Sequence, residues 1–373
     1  MKILINLISE QQIPNILFIK ENPNIDKYIF ITTEKMQSEK QVAKITNTLN
    51  IPEQKIEEIK VNQEDYFDII EKLKSIKYDG TDEILVNITG GNKIMALAVY
   101  DFFTRITPKT SIYYLPFEKN EFLKIHPDKE KKEIKTKLTL KEYLFSYTYK
   151  EKGNEPYIFN NKSLYGFETA KKMLEKYMNY QFDREITEKL RQKRRNGIDI
   201  DDEIRSFLDK LDFEPKDEMR LNKYEVRYLT GGWLEELLYY QIKEILKIDD
   251  KYISLSVNSR NTEEQSPNDF DVMCCYNNKL YIFECKTSLN EGDKKLGLFN
   301  DTIYKIAALI KDKGLSAEPF LVTTDRNLID ENGKIKEDYG KRAKFHHVKI
   351  ICFVDIKQLK TDLEKGLLKD SIK

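Results

Sequence analysis

The sequence predicts an α/β protein of two domains joined by a helical connector, and three observations carry that prediction. Apolar runs of strand length alternate with amphipathic runs of helix length through the first third of the chain. From about residue 139 to 221 the alternation stops, and segments rich in Lys and Glu carry only helical periodicity. It resumes near Tyr224 and continues to the end. The 373 residues suffice for two or three domains, and 40% apolar content suffices for ordinary cores. The expected boundaries are 1–138, 139–221 and 222–373.

The first region reads as strand ILINLI, a helix from Pro14, strand KYIFITT, a helix from about Glu34, strand KIEEIKV and helix YFDIIEKLKSI. Strand EILVNIT, helix IMALAVYDFF and strand SIYYLP complete it. This is a doubly wound pattern. In the connector, FETAKKMLEKYM sets Phe167, Ala170, Met173, Leu174 and Tyr177 on one helical face. The last region reads as helix WLEELLYYQIKEIL, strand YISLSV, a hairpin of DVMCCY and KLYIFE, helix DTIYKIAALIKDKG, and strands PFLVTT and VKIICFVD.

Lys+Arg and Asp+Glu balance at 63 each, so no global basic field exists and any nucleic-acid site must be local. Four cysteines, Cys274, Cys275, Cys285 and Cys352, lie in apolar runs without C-x-x-C spacing, which favours buried thiols over zinc or disulfides. Three histidines argue against a histidine-based metal site. The opening MKILINLISEQQ is too short in its apolar part for a signal peptide, and no window approaches a transmembrane length. A cytoplasmic protein without membrane contact is expected.

The hairpin raises a question of charge. With Asn277-Asn278 as its two-residue loop, Tyr276 faces Lys279, Asp271 faces Glu284 and Asp269 faces Lys286, all four of these polar residues on one side. Facing like charges destabilise a strand pair. A divalent cation between Asp271 and Glu284 converts their repulsion into shared ligation, and hard oxygen donors suit Mg²⁺ or Mn²⁺. Lys286 would then orient a water or stabilise charge on a phosphate. Glu235 follows Gly231-Gly232 at the start of a helix and can reach such a metal through water. Alternatively, Asp269 pairs with Lys286, and Asp271 and Glu284 mark the solvated end of the hairpin.

The order of a Gly-Gly-x-x-Glu helix, a hairpin Asp and then Glu-x-Lys resembles the PD-(D/E)XK nuclease superfamily, over roughly residues 222–373. Here the matching residues are Glu235, Asp271, Glu284 and Lys286. One departure is that Pro267 is followed by Asn268 and Asp269, so Asp269 competes with Asp271 as ligand, and the hairpin count favours Asp271. Tyr304 and Lys305, on the next expected helix, are candidates for phosphate contact, although helix-surface lysines are more often simply solvated.

In the first domain, ILVNITGGNKIM runs from a strand through Thr89-Gly90-Gly91-Asn92 into a helix. Bare backbone and a helix N-terminus can cradle an anion there, and a plain tight turn is the alternative. The spacing is not that of a Walker A loop, Ile94 follows Lys93 so no hydroxyl is offered to Mg²⁺, and no G-x-G-x-x-G is present. Binding of a nucleotide without hydrolysis of a triphosphate is the expectation. The loop from Ser9 to Pro14 leaves the same edge of the sheet, where open α/β folds hold ligands.

LINLISEQQIPN and VNITGGNKIM resemble the CRISPR-associated Rossmann fold (CARF) domain, and GGWLEE, DFDV and FECK resemble the nuclease half of cyclic-oligoadenylate-activated CARF nucleases. The resemblance implies a Rossmann-like CARF domain, a helical connector and a restriction-endonuclease-like domain. It implies a homodimer that binds cyclic tetra-adenylate across its two CARF domains and thereby activates metal-dependent cleavage of RNA and/or DNA in type III CRISPR antiviral defence. Carried over by position, Ser9, Gln11, Gly90, Gly91, Asn92 and Lys93 line the activator site. Asp271 and Glu284 ligate metal, Lys286 assists the attacking water and Glu235 supports the metal.

Two other functions fit parts of the pattern. A nucleotide-responsive regulator would bind DNA and carry an inert nuclease-like domain. A constitutive restriction or repair endonuclease would have no use for the N-terminal domain. The basic run LRQKRRNG, residues 190–197, offers phosphate contacts, but the acidic DIDDEIRSFLDKLD that follows favours a solvated helix pair.

Overall fold

Five short strands form the parallel part of the first sheet: Lys2–Leu7, Lys27–Thr32, Ile56–Lys60, Glu83–Asn87 and Lys109–Tyr114. The computed structural model describes residues 1–106, 109–117, 119–149, 155–260, 269–289, 297–311 and 313–368. The chain forms two units, Met1–Pro156 with Cys275–Leu280 and Lys311–Ala317, and Tyr157–Cys274 with Tyr281–Ile310 and Glu318–Lys373.

In the first unit the chain works outward from Lys2–Leu7 to Ile56–Lys60, then returns to Glu83–Asn87 on the opposite side of the first strand. Strand order therefore reverses between Lys2–Leu7 and Glu83–Asn87. Such reversals open a crevice at the C-terminal ends of the strands. Lys2–Leu7 is buried from Ile3 onward because neighbours flank both edges and helices cover both faces.

Two antiparallel strands, Glu121–His126 and Glu130–Glu133, extend this sheet beyond the expected pattern. Their sequences, EFLKIH and EKKE, carry the charge that protects sheet edges and so hide the strand signal. The single helix expected from Glu34 is two, Glu34–Ser38 and Gln41–Leu49, interrupted where Lys40 adopts φ 54°.

Polar side chains fix the crevice. Asn6, Asn15 and Asn87 are fully buried. Asn87 Nδ2 donates to Asn6 Oδ1 at 3.1 Å and to Asn15 Oδ1 at 3.0 Å, while Asn15 Nδ2 donates to the Leu7 carbonyl at 3.2 Å. Asn87 Oδ1 accepts from the backbone N–H and the hydroxyl of Thr89, at 3.1 and 2.6 Å. The ends of both central strands and the start of the Thr89 turn are thus one hydrogen-bonded object.

A five-stranded sheet, most of whose residues belong to the second unit, has the order Ile253–Ser254, Val272–Tyr276, Lys279–Lys286, Ala317–Thr323, Lys349–Cys352. Asn277 and Asn278, at φ 49° and 61°, supply the expected two-residue turn between its second and third strands. Helix Trp233–Leu246 packs on helix Phe167–Met178, with Trp233 fully buried and its ring 5.6 Å from that of Tyr177.

The segment expected to be a purely helical connector is corrected in two ways. It is divided between the units at Pro156 and Tyr157, and it contains strands. Tyr157–Asn160 pairs antiparallel with Ser256–Ser259, and Ile198–Asp199 with Arg220–Leu221. Runs this short carry too few residues to show a period of two. All four cysteines are buried thiols outside any disulfide. Among the described residues no helix is long and apolar enough to cross a membrane.

Gly90 shows how tightly the crevice is built. A Cβ there would fall inside contact distance of the Leu7 carbonyl oxygen and lie 3.4 Å from Ser9 Oγ. Gly90→Ala is therefore expected to lower stability by about 1–3 kcal/mol. Gly80→Ala, where a Cβ meets nothing within 4 Å, should stay within about 1 kcal/mol of the parent. Thermal unfolding of both variants checks the contrast.

Candidate active site and candidate ligand loops

The catalytic candidates in the second unit are delivered by three backbone devices. The turn at Asn277-Asn278 sets the hairpin register. Asp271 stands at a bend between Asp269–Phe270, which belongs to a three-stranded sheet, and Val272–Tyr276, which belongs to the five-stranded one. At that bend the carboxylate replaces a backbone acceptor, taking the Cys285 N–H at 2.7 Å. The third device precedes Glu235: a π-helical turn over Tyr228–Gly232, with Gly231 at φ 142°, redirects the chain into helix Trp233–Leu246. Such turns recur at functional sites, and this φ requires glycine.

Lys286 Nζ lies 2.6 Å from Glu284 Oε1 and 3.9 Å from Asp271 Oδ2. Lys305, from helix Gly297–Ile310, donates to the same Glu284 oxygen at 2.9 Å. Glu284 is almost fully buried. Burial pushes its carboxyl up, but the charges of Lys286 and Lys305 outweigh burial and hold it below the ordinary value. Burial, then repulsion from Glu284, raises Asp271 to about 6. Burial, then repulsion from Asp271, raises Glu235 to about 8. Burial pulls the Lys286 ammonium down, and the adjoining Asp271 and Glu284 more than reverse this. Lys286 is thus fixed as a cation, suited to orienting a water or stabilising charge and not to abstracting a proton.

Asp269 does not join this group. It is exposed, and its Oδ1 accepts from Asn258 Nδ2 at 2.6 Å, so the alternative pairing of Asp269 with Lys286 is not formed. Pro267 and Asn268 lie outside the described residues. Glu236, the neighbour of Glu235, faces the other way. It accepts from Ser163 Oγ at 2.9 Å and Gly166 N–H at 3.0 Å, and also from the Leu164 N–H, anchoring the loop before helix Phe167–Met178.

Sequence reading passed over Arg194 in the basic run. Its guanidinium donates to the carbonyl and hydroxyl oxygens of Thr230 at 2.6 and 2.7 Å, and it feels the charges of Glu235 and Asp271. Lys189, by contrast, pairs with Asp201 and Glu203 as a solvated helix pair would. Only three-dimensional proximity separates the two basic residues. Arg227, whose charge acts on Glu235, was missed for the same reason.

Asp271 and Glu284 supply hard oxygen donors, and the raised carboxyls of Glu235 and Asp271 are those of an electron-rich pocket that a cation would relieve. Among the described residues no group of three or more His, Cys, Asp or Glu side chains is arranged to hold a metal ion. A pair of carboxylates nevertheless fits Mg²⁺, which commonly takes its remaining ligands from water and substrate phosphate.

In the first unit, the loops after Leu7 and after Asn87 leave the two strands at the reversal. Ser9 Oγ accepts from the Gln11 N–H at 3.3 Å and shapes the first loop. Gln11 Oε1 accepts from the Leu315 N–H at 2.9 Å, and the Tyr147 hydroxyl donates to it at 3.4 Å. Gly91, at φ 71°, completes the second loop. Asn92 caps helix Lys93–Arg105, accepting from Met95 N–H at 2.9 Å and donating to the Gln63 carbonyl at 2.8 Å. Its amide therefore holds the loop. Lys93, the first residue of the helix, is exposed beside the turn.

A switch-point crevice in one unit and a carboxylate and lysine cluster on a bent hairpin in the other are the arrangement expected of a CARF-domain nuclease. Residues 3–143 match the family model of the Card1 CARF domain, and residues 222–368 match that of the Card1-like endonuclease domain. The two matches take in most of the chain, which belongs with the CARF-domain endonucleases of the Card1 type. Among solved structures it is similar to Can2 from Sulfobacillus thermosulfidooxidans in complex with cyclic tetra-adenylate, at 20% identity and TM-score 0.72, covering 98% of this chain and 99% of that one. Protein VC1899 from Vibrio cholerae is similar at 18% identity and TM-score 0.72, covering 98% and 97%. A type III CRISPR defence DNA nuclease activated by cyclic oligoadenylate is similar at 15% identity and TM-score 0.52, and the match covers 92% of this chain and 51% of that one. No curated protein sequence matches at a significant level.

The raised carboxyls give the metal-free protein a defined pH response. Between the ordinary carboxyl range and about pH 8 the folded chain holds protons at Glu235 and Asp271 that the unfolded chain has released, so stability falls as pH rises through this window. Glu284 acts in the opposite sense, but its contribution is lost only as pH falls below the ordinary carboxyl range. In EDTA, Tm should drop between about pH 5.5 and 8.5 by on the order of 2–4 °C more in the parent than in Glu235→Gln. Parallel curves for the two proteins would contradict the arrangement.

Proposed function

We propose that this protein is a metal-dependent nuclease, switched on by a cyclic oligoadenylate, that cleaves RNA and/or DNA in type III CRISPR defence. The observation that carries this reading is the convergence of Glu235, Asp271, Glu284 and Lys286 from a helix and a hairpin, in the order of the PD-(D/E)XK pattern. The same convergence speaks against a regulator with an inert nuclease-like domain. Cyclic tetra-adenylate is the first candidate activator, since Can2, of the same fold, was solved with it.

Asp271 and Glu284 are the proposed ligands of Mg²⁺ or Mn²⁺, with Glu235 supporting them. The metal would supply Lewis-acid polarisation of the scissile phosphate and an acidified water. Lys286 holds its proton and would orient an attacking water and stabilise the charge that develops on phosphate. Lys305 keeps Glu284 ionised and faces the phosphate beside it. Ser9, Gln11, Gly90, Gly91 and Lys93 form the proposed activator cradle, with backbone N–H groups and the Lys93 charge directed at phosphates.

A homodimer is proposed from helix Lys93–Arg105, whose outer face exposes Ile94 (38%), Leu97 (64%) and Tyr100 (37%) as one apolar stripe directly after the cradle. Adjoining exposed apolar residues of this kind mark interaction surfaces. Two such stripes, related by a two-fold axis, would bring two cradles onto one cyclic ligand.

The decisive experiment incubates labelled RNA and DNA with the purified protein, Mn²⁺ or Mg²⁺, and a panel of cyclic oligoadenylates. Cleavage that needs both metal and one of the activators is the expected result, and cleavage indifferent to the activators overturns the reading. Glu284→Ala and Lys286→Ala are each expected to lower the cleavage rate by at least about a hundredfold. Both should bind the activator as the parent does, as isothermal titration would report. Leu97→Glu is expected to sediment as a monomer and to lose activator-dependent cleavage, and a dimeric Leu97→Glu protein would exclude this face.

A further inference from the structure

Helix Gly297–Ile310, which carries Lys305, packs against helix Glu337–Phe345 through Phe299, Ile303, Ile306 and Ala343. Their outer sides bring together a second group of side chains that core packing does not call for. Tyr304, the residue before Lys305, is 44% exposed, and Phe345, the last residue of its helix, is 78% exposed. Between them lies His346, its ring 5.0 Å from Tyr304 at 85° and 5.0 Å from Phe345 at 81°. Arg342 Nη1 donates to the Tyr304 hydroxyl at 2.9 Å, and its guanidinium stands 5.9 Å from the same ring.

Exposed aromatic rings interleaved with a guanidinium are the chemistry of single-strand recognition, in which bases stack on rings while cations follow the phosphates. Tyr304 adjoins Lys305, whose Nζ is 2.9 Å from Glu284, so this surface begins at the candidate active site. Within a duplex the base faces are stacked on one another and are not offered to such rings. We infer that Tyr304, Arg342, Phe345 and His346 form a platform that holds unpaired bases of the nucleic-acid substrate beside the scissile phosphate. The inference rests on the nuclease reading above and adds to it the side chains that would seat the strand.

The test uses the full-length protein with cyclic tetra-adenylate in EDTA, where no cleavage proceeds. Fluorescence anisotropy measures binding of a labelled mixed-sequence single strand and of the matching blunt duplex. Phe345→Ala and Tyr304→Ala are each expected to weaken single-strand binding by about tenfold, with Phe345→Trp close to the parent and duplex binding changed by less than about threefold. Because Phe345 is exposed, its variants should keep the parent Tm, which is measured alongside. With Mn²⁺ restored, KM for the single strand should rise in Phe345→Ala. Unchanged single-strand affinity in Phe345→Ala overturns the platform. So does equal weakening for strand and duplex, which indicates phosphate contact alone, or a loss of dimer with binding unchanged, which assigns the surface to a second copy of the chain. If the parent protein neither binds nor cleaves nucleic acid with activator and metal, the nuclease reading itself falls and the platform with it. If the parent cleaves and Phe345→Ala behaves identically, only the platform falls.

Discussion

Three carboxylates, Glu235, Asp271 and Glu284, act on one another in a largely buried space, and this repulsion is the constraint around which the second unit is organised. Two lysines, Lys286 and Lys305, both bound to one Glu284 oxygen, offset it in part. A group of like charges persists in a fold only where the backbone leaves it no alternative. Here the Asn277-Asn278 turn fixes which residues face each other, the bend at Asp271 lets a side chain satisfy the Cys285 N–H, and the Gly231 turn aims the following helix. Each device is local, and each gives the site a geometry that free side chains would not adopt.

Side chains that look functional in the sequence often hold the ones that are placed to act. Glu236 anchors a loop while Glu235 meets Asp271. Asn92 caps a helix while the adjacent Lys93 stands exposed. Asn87 binds both Asn6 and Asn15 and the Thr89 turn, a buried amide network that sets the crevice wall. In both units polar side chains that hold the backbone stand next to neighbours that do not.

Much of this was legible beforehand because it rests on short-range rules. The doubly wound pattern followed from alternating periods, and the hairpin from the tolerance of asparagine for positive φ. Asp271 and Glu284 were brought together by counting back from a two-residue turn. The edge strands Glu121–His126 and Glu130–Glu133 were not legible, because edge protection replaces apolar residues with charge. Nor was the contact of Arg194 with Thr230, since residues 36 positions apart carry no shared period. The division of the connector was hidden for a related reason: Tyr157–Asn160 is a strand only because Ser256–Ser259 lies beside it.

The absence of a side chain at Gly90 has a consequence for how this protein can diverge. Because the turn touches the Leu7 carbonyl and approaches Ser9, the two loops flanking the crevice cannot shift past each other. A mutation that moves one moves both. Change on an unchanged backbone is therefore open to this chain at outward side chains such as Lys93, whereas Ser9 and Gln11 are held by hydrogen bonds of the first loop. Insertions and deletions, the usual raw material of loop evolution, would dismantle both walls at once.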